Sequence, residues 1–438
     1  MTNRFGVTPF VDVEALTRVE GEGGLLVRVE DGHVADVELR IFEPPRFFEG
    51  FLRGRGHDEP VDLTARVCGI CPVAYQLSAC AAMEDAAGVV VPSAIRDLRR
   101  LLYCGEWIES HALHIHLLHA PDFLGYEHAL TMAADHGEQL ERGLRLKAVG
   151  NDVMAAVGGR AVHPVNVRLG GFHRAPTPAE LQALVEPLRR ARDDALGVVR
   201  WVAAFEWPDV EVGCELVAIG HPSEYPVLGD RIVSTGGLDI PVRAWGEHFH
   251  EEHRSRSTAL YAFRTDGRHY LTGPLARYSL ASGRLHPVAR EAARDAGLGP
   301  VCRNPFQSVV VRAVEVVHAC ETALQLVAAY EPPAEPFVEV PPVAGAGHGV
   351  TEAPRGLLYH RYVTDADGTV VEAQLVPPTS QNQAAIEDDV RAVAMHYLDA
   401  GHDELTRRCE MAVRNHDPCI SCATHFLDVR VVPVQTGK

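Results

Sequence analysis

Lysine is almost missing from this chain of 438 residues. It occurs only at Lys147 and Lys438, and arginine carries the rest of the positive charge, a bias we read as genome composition. Positive charge is short altogether: 41 Lys+Arg face 59 Asp+Glu, a net of −18. That excludes the clustered basic surface that nucleic acid or an anionic membrane requires. No apolar run reaches the roughly 18 residues of a membrane span, and the stretch Met1-Thr2-Asn3-Arg4-Phe5-Gly6 lacks the charged and apolar regions of a signal peptide. Ten cysteines are too few for a disulfide scaffold. These absences predict a cytoplasmic, reduced protein with thiols available for metal. No G-x-G-x-x-G follows a strand, no spare grouped cysteines could hold iron–sulfur clusters, and there is no internal repeat or heptad pattern.

What the chain does have is core-forming material, 46% hydrophobic against 23% charged residues, ordinary for a globule. Its length allows two or three domains, or one large body with insertions. Apolar alternation at Leu25, Val27 and Val29, then Ala35, Val37, Leu39 and Ile41, across Asp31-Gly32, predicts a hairpin in an N-terminal region 1–60. A helical region over 61–207 follows. Its helices are expected at 74–86, closed by Gly88, from Ser93 as cap through His116, at 127–157, and from the capping box Thr177-Pro178-Ala179-Glu180 to Phe205. Over 208–300 short strands prevail, with a hairpin at Asp266-Gly267, read as a smaller α+β insertion. Helical periodicity returns in 301–425, at 307–330, 382–399 and 404–413, interrupted by a Pro/Gly-rich surface linker at 332–349 and a hairpin at 357–376 turning on Asp367-Gly368. The expected fold class is mainly α with small α+β parts.

Two short cysteine pairs stand near opposite ends, Cys68-x-x-Cys71 and Cys419-x-x-Cys422. Four thiolates so paired form a soft ligand set suited to zinc, nickel or iron–sulfur chemistry. A zinc finger keeps its pairs within about 12–20 residues; here the whole chain must fold before they meet. Spacing alone leaves four readings open: a zinc staple, a thioredoxin-like redox pair at Cys68, two unrelated structural pairs, or a catalytic metal site. Cys80, Cys104, Cys214, Cys302, Cys320 and Cys409 are scattered singly and read as small apolar core residues.

The surrounding residues are more specific. Arg66-x-Cys68-Gly69-x-Cys71-Pro72 and Asp417-Pro418-Cys419-x-x-Cys422-x-x-His425 together resemble the two signature motifs of the nickel–iron hydrogenase large subunit in spacing, order and placement. Arg18-Val19-Glu20-Gly21, Arg46-Phe47-Phe48-Glu49, Ala353-Pro354-Arg355-Gly356 and Leu375-Val376-Pro377-Pro378-Thr379 are similar to further strips of that family. The resemblance spans nearly the whole chain and is weakest over 208–300. The run from Cys68 to Gln76 looks most like the cytoplasmic, bidirectional, NAD(P)-linked branch, including sulfhydrogenases. Tyr75 stands where many members carry His, which puts a proton role there in doubt.

The resemblance implies a helical body with an N-terminal hairpin and a strand-rich insertion, and nickel held by all four thiolates. Cys71 and Cys422 would bridge to an iron carrying carbon monoxide and cyanide, with Cys68 and Cys419 terminal. H2 would be split heterolytically, Cys419 taking the proton and Glu20 relaying it outward. Arg355 would lie over the iron as a fixed charge oriented by Asp122 and Asp417. Thr379 and the backbone at Pro354 and Pro378 would donate to, or pack around, the cyanides. Glu49, the carbonyl of Leu375 and His425 match the family's magnesium site, in keeping with that ion's preference for oxygen and water ligands.

The implied partners are a small subunit carrying an iron–sulfur cluster, diaphorase-type NAD(P) and flavin subunits, and a maturation endopeptidase that would remove 426–438 once nickel is inserted. Alternatives are a hydrogen sensor, which should lack a removable tail, a metal-free scaffold of the complex I kind, which should lack the cysteines, and a zinc-stapled structural protein, which gives no reason for Glu20, Glu49, Arg355 and His425. Two histidine groups are set aside. His111, His114, His116 and His119 on one helix read as packing or a polar path, and His248, His250 and His253 as a solvated loop.

Overall fold

The computed structural model describes residues 9–211 and 213–424. The helices that frame the cysteines and their surroundings are α1 (Pro72–Ala87), α2 (Ser93–Leu113), α3 (Ala129–Gly158), α4 (Val185–Ala203), α5 (Pro274–Ala281), α6 (Ser308–Ala328), α7 (Pro378–His396) and α8 (His402–Asn415). Helix α1 opens on Pro72, whose missing N–H costs nothing in a first turn. The next two N–H groups, of Val73 and Ala74, donate to the Glu106 carboxylate of α2 at 2.7 and 3.1 Å. Gly88, left-handed at φ 65, ends the helix. The first cysteine pair therefore sits on a helix N-terminus that is pinned from a neighbouring helix.

Helix α2 packs on α3 and α6 and buries Leu101, Leu102, Trp107 and Ile108. Beyond Leu113 it widens into a π-helical segment, His114–His119, before the short helix Ala120–Leu124. The expected hairpin forms and gains a strand: β1 (Pro9–Val13), β2 (Gly23–Glu30) and β3 (His33–Ile41) make an antiparallel meander. Its apolar face, with Leu25, Val27, Val37 and Leu39, packs against Val390 and Val393 of α7 and Leu405 and Met411 of α8. A second meander, β4 (Gly345–Ala353), β5 (Gly356–Thr364) and β6 (Val370–Val376), lies on α1.

Several boundaries differ from expectation. Ser93 is the first residue of α2 rather than its cap; Pro92 takes the cap position at ψ 154 and no side chain caps the helix. The capping box forms, Thr177 and Glu180 exchanging hydrogen bonds, but it opens only Pro178–Gln182, and α4 starts afresh at Val185. Asp266-Gly267 turns the chain, yet no hairpin results. Leu260–Arg264 pairs with Phe249–His253, while Tyr270–Leu271 joins Glu215–Gly220 in parallel. His250 and His253 thus lie in a strand, not a loop. The linker ends early because Gly345 already begins β4, whose full pairing along β5 outweighs the weak strand preference of glycine.

Glu106→Leu would leave two buried N–H groups without an acceptor. We expect a loss of about 2 kcal/mol or more, read as a lower thermal midpoint, with Glu106→Gln losing less because it keeps one acceptor oxygen.

Candidate metal centre

The two cysteine pairs meet. The sulfurs of Cys68, Cys71, Cys419 and Cys422 all lie within 4.8 Å of one another, and none of the four residues is more than 4% exposed. Cys68 is 3.6 Å from Cys419, Cys71 is 3.7 Å from Cys422, and Cys419 is 2.7 Å from Cys422. Burial pushes the Cys419 and Cys422 thiols up. Cys68 is held well below the usual thiol range by hydrogen bonds, that from Cys419 foremost. Its sulfur also accepts the Ile70 and Cys71 N–H groups at 3.3 and 3.4 Å, and the positive end of α1 favours thiolate there. A buried, mutually contacting set of soft donors fits a soft metal, which supplies the charge that four thiolates need.

The second pair is fastened to the N-terminal segment. Glu20 and Cys419 form a parallel bridge, in which the Ile420 N–H donates to the Glu20 carbonyl at 2.9 Å. Gly21, at φ 88, allows this approach: a Cβ there would stand 2.7 Å from the Ile420 Cβ. The half-buried Glu20 carboxylate accepts from the Cys419 Sγ and the Ser421 N–H, both at 3.1 Å. Arg46 was legible only as the start of a motif strip. Its guanidinium donates to the Val67 carbonyl at 2.8 Å and to the Ser421 carbonyl, and its N–H donates to the Thr424 carbonyl at 2.6 Å. One arginine therefore ties both cysteine motifs together.

Arg355, on the turn between β4 and β5, is 3% exposed. Its Nε donates to the Asp417 carbonyl at 2.8 Å and its Nη2 to the Asp417 carboxylate at 3.2 Å. Asp417 takes a left-handed φ of 52, a strained position costing roughly 1–3 kcal/mol, and so turns both oxygen groups toward Arg355. Burial opposes the Arg355 charge, but Asp417 and the sulfurs of Cys419, Cys71 and Cys68 more than restore it. Among the described residues the buried Arg355 Nη1 has no partner, so a donor would remain for a ligand of a metal held by the four sulfurs. Thr379, in the first turn of α7, accepts the Cys419 N–H at 2.9 Å, leaving its hydroxyl proton to donate. Pro354 and Pro378 are both buried beside these residues.

Asp122 does not orient Arg355. Its carboxylate accepts from Arg414 at 2.7 and 2.9 Å, from Arg18 at 2.6 Å and pairs with His119 at 3.3 Å. Those groups saturate it, and it anchors the Arg18–Gly21 strip instead. Burial alone would raise its pKa, yet His119 and Arg414 hold it well below the carboxylate range. The helical histidines have separate polar partners, His111 meeting Glu315 at 2.9 Å, His114 the Arg414 carbonyl at 2.9 Å and His119 Asn415 at 2.8 Å, while the His114 and His119 rings lie 5.1 Å apart and His116 stacks on Trp201. The Tyr75 hydroxyl donates to the Cys422 carbonyl at 3.5 Å, and burial keeps its proton on.

A pair of acidic side chains, Glu49 and Glu251, lies beside β6. Burial raises Glu49 to about 7, while its carboxylate accepts the Leu375 N–H of β6 at 2.7 Å. Glu251, which the sequence reading missed, is raised to about 8 by burial and by the charge of Glu49. Gln374 donates to one Glu251 oxygen at 2.9 Å, and the other oxygen is buried without a partner among the described residues. The charge of Glu49 acts on Glu251, and two half-buried carboxylates so placed offer oxygen donors of the kind a hard cation takes. His425 and the tail 426–438 lie outside the described residues.

The Asp122 pairing has a pH signature. A depressed carboxylate contributes stability above its unfolded pKa of about 4, lost as pH falls through the folded value. Asp122→Asn should therefore lower the melting midpoint at neutral pH, with the deficit shrinking in acid; an equal deficit at both would contradict the pairing.

The family described as nickel-dependent hydrogenase matches residues 46–152 and 262–425. The unmatched interior, 153–261, begins earlier than the weak stretch expected at 208–300. Sulfhydrogenase 1 subunit alpha of Pyrococcus furiosus is 34% identical over 427 residues, covering 95% of this chain and 98% of that protein. NAD-reducing hydrogenase HoxS subunit beta of Cupriavidus necator is 27% identical over 463 residues, covering 95% and 94%. A crystal structure of NAD+-reducing nickel–iron hydrogenase in the H2-reduced state matches with a TM-score of 0.84 at 26% identity, over 95% of this chain and 99% of that one. The two matched segments hold the four clustered cysteines, one pair each, and the chain belongs to the nickel-dependent hydrogenase family as its catalytic large subunit.

Proposed function

We propose that this subunit, in the cytoplasm, cleaves H2 reversibly and passes electrons through a small iron–sulfur subunit and diaphorase-type subunits to NAD(P), with sulfur reduction as a side activity. The observation that carries the reading is the 3.1 Å contact of Cys419 Sγ with Glu20 Oε2 inside a four-thiol cluster. It couples a soft-metal donor to a proton acceptor through a single hydrogen bond. A nickel–iron centre held by Cys68, Cys71, Cys419 and Cys422, its iron carrying carbon monoxide and cyanide, would supply an acceptor for the electron pair of H2. The link to a pyridine nucleotide is supported by the relatives named sulfhydrogenase and NAD-reducing hydrogenase.

The chain's own residues handle the proton and the surroundings. Cys419 takes the proton, and Glu20 receives it from the sulfur; being half-buried, Glu20 then delivers it to water. Arg355 holds a fixed positive charge, with Asp417 setting its direction and Nη1 left to donate. The Thr379 hydroxyl, which accepts from the Cys419 N–H, would have its proton free to donate to a cyanide, and Pro354 and Pro378 would pack beside it. Magnesium bound by Glu49, the Leu375 carbonyl and His425, with Glu251 behind, would secure the C-terminal motif after an endopeptidase removes 426–438.

Elemental mass spectrometry of the complex purified from its native host should find roughly one nickel per complex with iron in excess. Zinc in place of nickel, after tail removal, would sink the reading. Glu20→Gln should cut H2-dependent NAD(P) reduction by about 10²–10⁴-fold at unchanged nickel content; a variant of full activity would dismiss Glu20 as the relay.

A further inference from the structure

The turn that presents Arg355 is of an unfavoured kind. Pro354 and Arg355 form the two-residue loop of the β4–β5 hairpin, with Ala353 paired to Gly356. Such loops prefer a positive φ at one or both central residues. The proline ring forbids it at 354, and Arg355 does not adopt it; the positive φ falls instead on Gly356, at 138. Tight packing holds that glycine in place: a Cβ on Gly356 would lie 2.8 Å from the Gly273 N, and one on Gly273 would lie 2.7 Å from the Arg355 carbonyl oxygen. The geometry of this turn must be imposed from outside.

Arg277, on α5, imposes it. Its side chain is 0% exposed. Nη1 donates to the Ala353 carbonyl at 2.8 Å and to Glu352 at 3.0 Å; Nη2 donates to the Pro354 carbonyl at 3.0 Å and to Glu315 at 2.9 Å; Nε donates to Glu315 at 2.9 Å. The guanidinium lies 4.5 Å from the Trp107 ring, and the indole N–H of Trp107 holds the Glu352 carbonyl at 3.0 Å. Glu352 in turn accepts the Ile219 N–H at 2.8 Å, and Glu315 accepts the Tyr225 hydroxyl at 2.7 Å. The planar fork thus grips two successive carbonyls of the turn while its own position is locked on the far side. Lysine, with three donors and no fork, cannot serve both carbonyls and both glutamates.

We infer that Arg277 is a positioning residue for the hydrogenase reaction: through the carbonyls of Ala353 and Pro354 it sets where the Arg355 guanidinium stands over the thiol cluster. Arg277 itself donates to Glu315, Glu352 and the two turn carbonyls and to none of the four sulfurs. The inference rests on the proposed role of Arg355, and its test separates the two.

The experiment uses the assembled enzyme carrying Arg277→Lys, Arg355→Lys or both, with Gly273→Ala as a second disturbance of the same turn that leaves the ion network intact. Turnover with H2, nickel per complex and amide hydrogen exchange across 353–357 are read together. Arg277→Lys and Gly273→Ala should each lower turnover about 10–10²-fold, at unchanged nickel and with faster exchange in the turn. Added to Arg355→Lys, either should cost no more than about 2-fold further, because a residue acting through Arg355 loses its effect once Arg355 is gone. Full additivity would overturn the proposal, as would unchanged exchange at 353–357 in Arg277→Lys. If Arg277→Lys does not fold, the Gly273→Ala cycle decides in the same way. If Arg355→Lys is fully active, the role of Arg355 falls, and faster exchange would leave Arg277 as the turn's clamp without a part in turnover, which overturns the inference as stated.

Discussion

Four sulfurs are held in contact although, ionised, each would repel the other three. At separations of 3.6–3.7 Å, one thiolate pair repels by about 4 kcal/mol even at an effective dielectric of 20. The six pairs of a fully ionised cluster would together exceed the roughly 5–15 kcal/mol by which a domain is stable. The polypeptide can gather these groups only as thiols or around a cation. Much of the surrounding polar structure bears on that constraint: the α1 N-terminus beneath Cys68, the Glu106 carboxylate that anchors this helix, and Arg46 joined to both motifs.

Away from the sulfurs, charge is managed with arginine. Arg355 with Asp417, Arg414 with Asp122, and Arg277 with Glu315 and Glu352 are deeply buried partnerships, and Arg18 reaches Asp122 from a half-buried position. Buried ion pairs rarely add net stability, since desolvation offsets their attraction. Their use here is directional, because a guanidinium stays charged at any working pH and fixes its partners in a plane. Glu49 and Glu251 depart from this pattern: among the described residues no arginine grips either carboxylate in the way Arg414 grips Asp122, and burial raises both.

The cysteine motifs were legible because ligand spacing is local, and so were the first hairpin, the glycine stop of α1 and the capping box at Thr177. Asp122 was assigned to the wrong guanidinium, since sequence says that an acid lies near a helix end but not which arginine folds onto it. Arg46, Glu106, Glu251 and Arg277 escaped functional notice for a related reason. Each works through partners far away in sequence, as when Arg46 reaches Ser421 across 375 positions. The glycine-rich start of β4 looked like a linker because its strand character comes from β5, a tertiary partner that outweighs local preference.

The separation of the cysteine pairs also has a consequence in time. Cys68 and Cys419 are 351 residues apart, so at about 5–20 residues per second a ribosome needs roughly 20–70 s to deliver the second pair after the first. During that interval a nascent chain holds half a ligand set, on a helix terminus that already favours thiolate, with no partner sulfurs to complete it. Any metal that two thiolates can grip has the first opportunity. The 351-residue separation thus gives a competing ion a stage at which only Cys68 and Cys71 can hold it, before the other two sulfurs exist.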